Sequence, residues 1–195
     1  MKWMATLPAT YVSPEEYLER ERKAETRSEY IRGEIVAMAG ASVRHAAIIS
    51  NLVMEIGAHL RTTKCSIFST DLRLAVNRAG VYTYPDVMVV CGNPASIDDR
   101  RDTISNPVLI IEVLSPSSKN YDRGQKFQYY RMLPSLKEYV TVAQEEVHVE
   151  RHVRGDAGEW TLTDFWQLEE SLQLQSINVT LKLSDIYRRV DCTDQ

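Results

Sequence analysis

Two acidic residues interrupt apolar segments of this 195-residue chain. Asp86 follows Pro85 just before a run of valines, and Glu112 lies inside a second apolar run further along. A carboxylate among apolar neighbours is costly to bury unless it is paired or binds a cation. Two such strands are natural partners in one sheet, where the two carboxylates would repel each other unless a divalent cation lay between them. The pattern therefore predicts a site for Mg²⁺, which binds one or two carboxylates together with a substrate phosphate.

A lysine and a tyrosine lie on the helix that is predicted after the Glu112 segment. Lys126 and Tyr130 are four positions apart, which places both polar tips on one helical face. A lysine beside a metal site can orient a water nucleophile and stabilise the charge that develops on a phosphate. We therefore predict that Lys126 is catalytic and that Tyr130 lines the wall of the site.

Apolar periodicity and turn residues predict the elements that must position these residues. Ser42 can cap an amphipathic helix that extends to about Arg61, because apolar residues recur at three- and four-residue spacing. Asp122 can cap a later helix that ends near Met132, before Pro134. The predicted strands between and after these helices span about 66–69, 72–76, 82–90, 108–114 and 136–142. The runs 82–90 and 108–114 are apolar on both faces, as in central strands that are covered on both sides.

Further elements are predicted on either side of this core. A helix and a hairpin are expected over 13–38, and alternating apolar residues predict a β-rich extension over 145–190. With a core at about 42–144, the whole chain is predicted to form a single α/β domain.

Four segments of the sequence resemble the bacterial Uma-two family, a restriction-endonuclease-like family related to the PD-(D/E)XK nucleases. They are RSEYIRGEIVAMAGASVRH, YTYPDVMVVCG, LIIEVLSPSS and YDRGQKFQYYRMLPSLKEYV. The resemblance covers about residues 12–189. It implies a central mixed sheet flanked by helices, in the order αβββαβ, with the β-rich extension added at the end.

The resemblance also implies metal-dependent hydrolysis of phosphodiester bonds. Asp86 and Glu112 would be the metal ligands, with the carbonyl of Val113 as a third ligand. The ion would be Mg²⁺, with Mn²⁺ as a possible substitute. Glu34 would supply a further acid near the metal, and the phrase that contains His45 would bring its imidazole to the site.

One departure from the superfamily pattern leaves a rival function open. The superfamily lysine lies two positions after the glutamate, where this chain has Leu114, and the resemblance points instead to Lys126 on the following helix. The net charge of −4 is also unlike the basic excess of most nucleic-acid-binding proteins. Both features favour a catalytically impaired nucleic-acid or protein interaction module on the same fold. A hydrolase of another phosphate ester is a third hypothesis.

The expected substrate is DNA, with RNA left open. Duplex cleavage by this fold usually needs two active sites, so we expect a homodimer, with the β-rich extension as a candidate dimer surface. No membrane partner is expected, since no apolar run approaches the roughly 18 residues of a membrane span. The first residues lack the pattern of a signal peptide, which predicts a cytoplasmic protein.

The cysteines and two histidines of the later strands are predicted to have no role in the chemistry. Cys65, Cys91 and Cys192 show no spacing typical of a metal site or a disulfide framework, which favours buried, inert thiols. His148 and His152 could form a zinc pair on one strand face, but surface positions are the favoured interpretation.

Overall fold

The computed structural model describes residues 11–38, 40–116 and 119–192. Residues 1–10, where no signal peptide is predicted, lie outside the described residues. The helices are α1 (Pro14–Glu21), α2 (Val43–Leu60), α3 (Lys119–Tyr121), α4 (Phe127–Tyr130) and α5 (Leu183–Ile186), and a π-helical turn (Asp122–Lys126) joins α3 to α4. No helix in these described segments is both long enough and apolar enough to cross a membrane.

The strands form two larger sheets and one separate pair. Their bounds are β1 (Ser28–Ile31), β2 (Glu34–Ala37), β3 (Cys65–Ser69), β4 (Arg73–Val76), β5 (Val81–Thr83), β6 (Val87–Cys91), β7 (Thr103–Ile104), β8 (Leu109–Leu114), β9 (Glu138–Ala143), β10 (Val149–Arg154), β11 (Trp160–Phe165), β12 (Ser171–Leu174) and β13 (Val179–Lys182). The five-stranded sheet has the order β2-β1-β5-β4-β7, and the six-stranded sheet has the order β11-β10-β9-β8-β6-β3. The larger sheet is mixed, because β8 is antiparallel to β6 and parallel to β9. The predicted mixed α/β architecture is confirmed.

The chain crosses between the two sheets at Pro85, which corrects one strand prediction. The segment 82–90 was expected to be continuous, but β5 belongs to the smaller sheet and β6 to the larger one. Proline has no N–H to donate to a strand ladder, so it suits such a break. A second crossing, between β3 and β4, lies alongside, where the Thr70 N–H donates to the Asp86 carbonyl at 3.3 Å. Asp86 therefore lies in the corner between the sheets.

Helices cover both faces of the six-stranded sheet. On one face α2 buries Ile48, Leu52 and Ile56 against the central strands. On the other face α4 packs Phe127 onto Tyr139 of β9, with ring centroids 4.9 Å apart. This double coverage explains why the central strands are apolar on both sides.

The helical segment before Pro134 begins earlier than the sequence predicts. It was expected to start at an Asp122 cap, but α3 begins at Lys119 and Asp122 lies in the π-helical turn. The Asp122 side chain is buried and contacts a lysine, so it does not serve as a cap. Single π-helical turns inserted in α-helices are often found at functional sites.

The β-rich extension is built into the main sheet. Strand β10 pairs with β9 and with β11, so the six-stranded sheet continues into the extension. The fully buried Glu138 of β9 accepts hydrogen bonds from the backbone N–H groups of Gln175 and Ser176, at 3.3 and 3.0 Å. A buried carboxylate that accepts N–H groups in this way has its hydrogen-bonding capacity met.

Two predictions about single residues are wrong. Cys65 and Cys91 are joined in a disulfide, because the antiparallel pairing of β3 and β6 places them directly opposite each other. Cys192 remains a free, half-buried thiol, and burial raises its pKa. His148 is buried, which contradicts the surface position predicted for it, and His152 is half-buried.

We expect His152 to make the protein less stable in acid. It packs against Phe127 with the two rings tilted and their centroids 4.4 Å apart, and burial lowers its pKa. The unfolded chain then binds the proton more readily than the folded protein does. The stability that the neutral, buried imidazole provides is therefore present above the unfolded-state pKa and is lost as the pH falls through the folded-state pKa. Urea unfolding between about pH 7 and pH 5 should therefore show a smaller loss of stability in His152→Gln than in the wild type. The exposed His59 serves as the control: equal slopes in His152→Gln, His59→Gln and the wild type would contradict the prediction.

Candidate active site

Asp86 and Glu112 face each other at the end of the six-stranded sheet. The antiparallel register that sets Val87 opposite Ile111 brings Asp86 beside Glu112. The Val113 N–H donates to Asp86 Oδ2 at 2.7 Å, and the Asp86 N–H donates to Glu112 Oε2 at 3.3 Å. The structure therefore brings together the three residues that the family resemblance proposes as metal ligands, Val113 through its backbone N–H.

The electrostatics around Glu112 suit a cation. Burial raises the pKa of Glu112 to about 8; the Lys126 ammonium opposes this shift, and repulsion from Asp86 and Asp122 adds to it. A divalent ion beside the carboxylate would reverse the effect, since it stabilises the ionised form. The donor set of two carboxylates and a backbone group is one that Mg²⁺ or Mn²⁺ accepts, with water completing the coordination.

His45 already places an imidazole against this donor set. Ser42 caps α2 by accepting the His45 N–H at 3.1 Å, which fixes the residue in the first helical turn. The Nε2 atom lies 3.2 Å from Asp86 Oδ2. Burial alone would lower the pKa of His45, but the hydrogen bond to Asp86 and a backbone hydrogen bond to Val113 outweigh it and raise the pKa. The imidazole therefore lies directly against one of the oxygens that would hold a cation.

Lys126 reaches the site from the π-helical turn. Its side chain is buried, and Nζ lies 3.0 Å from Glu112 Oε1, 3.3 Å from Glu29 Oε1 and 3.5 Å from Asp122 Oδ1. Burial opposes its charge, but these carboxylates raise the pKa of Lys126 well above its usual range, Glu112 contributing most. The ammonium is therefore charged and held beside the candidate metal ligands.

Tyr130 completes the wall behind Glu112. Its hydroxyl donates to Glu112 Oε1 at 2.7 Å and lies 3.1 Å from the hydroxyl of Thr83. Burial, together with the Glu112 carboxylate, raises the pKa of Tyr130 well above its usual range. The phenol is therefore a hydrogen-bond donor that fixes one oxygen of Glu112.

Of the two acids in the β1–β2 hairpin, Glu29 lies at the candidate site and Glu34 does not. Glu34 is exposed on β2, whereas Glu29 on β1 is buried and contacts Lys126. Asp71, which lies in the turn before β4, is exposed and pairs with Arg27. The sequence reasoning missed Glu29 because neighbouring hairpin acids look alike. It also missed Asp122, although the spacing of Asp122 and Lys126 indicates a pair on one helical face.

A second group of potential ligands lies further along the sheet. One ligand atom from each of His148, Glu150 and Asp164 falls within 4.8 Å of the others. The guanidinium of Arg123 donates to Glu150 and lies 3.1 Å from His148 Nδ1, and His148 Nε2 lies 2.8 Å from Asp164. A cationic group is thus already paired with this cluster, and its contacts tie the π-helical turn to β10.

A family model described as "Putative restriction endonuclease", Uma2, matches residues 14–184. The chain belongs to the Uma2 family. Two relatives come from Synechocystis sp. (strain ATCC 27184 / PCC 6803 / Kazusa). The uncharacterised protein slr1290 is 37% identical over 183 residues, which cover 93% of this chain and 94% of that protein. The uncharacterised protein sll1609 is 39% identical over 149 residues, which cover 76% of this chain and 84% of that protein. The family resemblance in the sequence is confirmed.

A solved structure has the same fold as this Uma2 chain. It is a crystal structure described as a "putative nuclease belonging to DUF820" from Anabaena variabilis ATCC 29413. The two chains align with a TM-score of 0.75 at 19% identity, over 90% of this chain and 97% of that chain. At this identity the match shows the fold alone, and it confirms the restriction-endonuclease-like fold class. The family match, and not this structure, supports a nuclease.

Proposed function

We propose that this Uma2 protein is a Mg²⁺-dependent endonuclease that hydrolyses the phosphodiester bonds of DNA. The observation that carries the proposal is the buried contact of Lys126 with Glu112, 3.0 Å between Nζ and Oε1, beside Asp86. A lysine next to a pair of carboxylates at a sheet end supplies the charges that phosphoryl transfer needs. Mn²⁺ is proposed as a substitute metal.

Each residue of the site has a role in this proposal. Asp86, Glu112 and the Val113 carbonyl would hold the metal, which when bound supplies Lewis-acid polarisation of the phosphate. Lys126 orients the attacking water and stabilises negative charge on the phosphate oxygens. Tyr130 fixes the Glu112 carboxylate by donating a hydrogen bond to it. His45 contacts Asp86 from the first turn of α2.

We further propose that the enzyme acts as a homodimer, because duplex cleavage by this fold usually needs two active sites. The outer edge of β11 supports this assignment, since it has no partner strand among the described residues. The exposed apolar side chains Leu162, Trp166 and Leu168 lie on or just after this strand. Free edges of this kind readily pair with another chain. We place the activity in the cytoplasm, where reducing conditions would open the Cys65–Cys91 bond to two thiols.

The first test is cleavage of a supercoiled plasmid by the purified protein. We expect nicked and linear products with Mg²⁺ or Mn²⁺, and none after a chelator removes the metal, because the two carboxylates alone do not polarise the phosphate. Adding Mg²⁺ back to the chelated protein should restore cleavage. Equal cleavage with and without metal would contradict the proposal.

Two other outcomes would each point to a different function. Plasmid binding without cleavage in Mg²⁺ or Mn²⁺, unchanged in Lys126→Ala, would identify an interaction module. Hydrolysis of a small phosphodiester without salt-sensitive affinity for DNA would identify a hydrolase of another phosphate ester. Repeating the cleavage assay with an RNA duplex decides whether the substrate is DNA or RNA.

A further inference from the structure

Three carboxylates surround the Lys126 ammonium, and they come from three separate parts of the fold. Glu112 belongs to the central strand β8, Glu29 to β1 of the other sheet, and Asp122 to the same π-helical turn as the lysine. All four side chains are buried. An ammonium has three N–H donors, so one can be directed at each carboxylate. Lys126 is therefore held from three sides.

The charges of this cluster are unbalanced in a way that matters for metal binding. Glu29, Glu112 and Asp122 can contribute three negative charges around a single positive one. One carboxylate is enough to balance the charge of one lysine. Burying additional carboxylates is costly unless each of them is also paired or bound to a metal ion. The extra acids thus form a cage with the charge and oxygen donors that suit a divalent ion, and the ammonium fills it.

Glu112 is shared between this cage and the candidate metal site. Its Oε1 contacts Lys126, whereas its Oε2 accepts the N–H of Asp86. In two-metal nucleases a pair of ions about 3.5–4 Å apart clamps the attacking and leaving oxygens of the phosphate. A carboxylate can bridge such a pair through its two oxygens, and in this protein the Glu112 Oε1 atom contacts the Lys126 ammonium.

We propose that Glu29 and Asp122 are positioning residues that hold Lys126 where a second divalent cation would otherwise bind, so that each site takes a single metal ion. This inference rests on the metal site of the proposed function. In this proposal the Lys126 ammonium takes the role that the second metal ion has in two-metal enzymes. It also explains why the hairpin and the π-helical turn each contribute a buried acid.

The experiment counts Mn²⁺ ions bound to the full chain by electron paramagnetic resonance. The wild type should bind one Mn²⁺ per chain. Lys126→Met removes the ammonium while keeping an unbranched apolar stem, so it should bind two, and the two ions should show the spin coupling of a pair about 4 Å apart. Lys126→Arg retains a cation in the cage and should bind one. The exposed Lys119 of α3 is the matched control, and Lys119→Met should also bind one.

The outcomes separate this inference from the proposed function. A wild-type protein that binds no Mn²⁺ would overturn both, because the metal site itself would be absent. Two ions in the wild type, or a single ion in Lys126→Met, would overturn the inference alone and leave a metal-dependent nuclease.

A loss of folding in Lys126→Met can still be interpreted. The three clustered acids would then repel one another without the ammonium, and an ion that binds only the folded chain shifts the equilibrium toward it. Mn²⁺ should therefore restore the circular dichroism of the folded protein, again with two ions per chain. If Mn²⁺ does not refold the variant, the cage does not bind a metal ion and the inference is wrong.

Discussion

We expect Asp86→Asn to lower metal-dependent plasmid cleavage by roughly 100- to 1,000-fold, the loss typical when a preorganised charge at a reacting centre is removed. Asn is isosteric with Asp, and its side-chain oxygen can still accept the Val113 N–H that Asp86 Oδ2 accepts at 2.7 Å. The fold should therefore survive while the negative charge is lost. The same variant should bind Mn²⁺ more weakly than the wild type in a calorimetric titration, because a neutral amide is a poorer ligand for a hard cation.

The control for this prediction is Asp71→Asn. Asp71 lies at the neighbouring crossing between the sheets, where it is exposed and paired only with Arg27 at the surface. Exposed ion pairs contribute little to stability, so this variant should fold and cleave like the wild type. Equal losses in the two variants would mean that a general change of surface charge, and not the metal site, controls cleavage. Undiminished cleavage by Asp86→Asn would remove Asp86 from the proposed mechanism.

The second large effect is expected at Arg123, which does not touch the carboxylate pair. Arg123 anchors the π-helical turn to Glu150 and His148, and the same turn carries Lys126. Arg123→Ala should release the turn, and a displacement of about 1 Å at a catalytic group can cost roughly 100-fold in rate. We expect the loss in kcat, measured with plasmid or a short duplex, and an Mn²⁺ affinity close to that of the wild type. Arg123→Lys keeps the charge but not the forked donors, so it should recover only part of the rate.

Salt dependence distinguishes this anchoring role from direct contact with DNA. An arginine that binds a phosphate lowers the salt slope of DNA affinity by about one unit when it is removed. Arg123→Ala should leave that slope unchanged, because the guanidinium is already engaged with Glu150 and His148. Arg131 on the same helical segment is exposed, and Arg131→Ala changes the net charge equally. A similar loss of kcat in both variants, or a reduced slope in Arg123→Ala, would contradict the anchoring role.

The sequence predicts the elements of the larger sheet better than it predicts their connections. Helix α2 was predictable because its apolar residues recur at helical spacing over eighteen residues. The crossing at Pro85 was not, since β5 and β6 are both buried and apolar, and periodicity does not reveal which sheet a strand joins. The disulfide between Cys65 and Cys91 depends on the register of two strands, which local sequence does not specify.

The proposed site shows the same limit at the level of single residues. Asp86 and Glu112 stand out because each is an isolated acid in an apolar setting. Glu29 and Glu34 belong to one hairpin and differ only in which part of it lies under the π-helical turn, so no local feature separates them. Lys126 was found through the family resemblance and its spacing from Tyr130. The three carboxylates around it depend on contacts between distant segments, and only the fold reveals them.

The buried carboxylate of Glu138 has a consequence for how much of this chain must be present for it to fold. Its hydrogen-bond donors, at Gln175 and Ser176, come from the far end of the extension, so strand β9 of the core and the last β-pair are chemically complementary. A shortened protein that ends near residue 144 would retain Asp86, Glu112 and Lys126 but leave this charge without its donors. The carboxyl-terminal strands and strand β9 are therefore expected to fold as one unit.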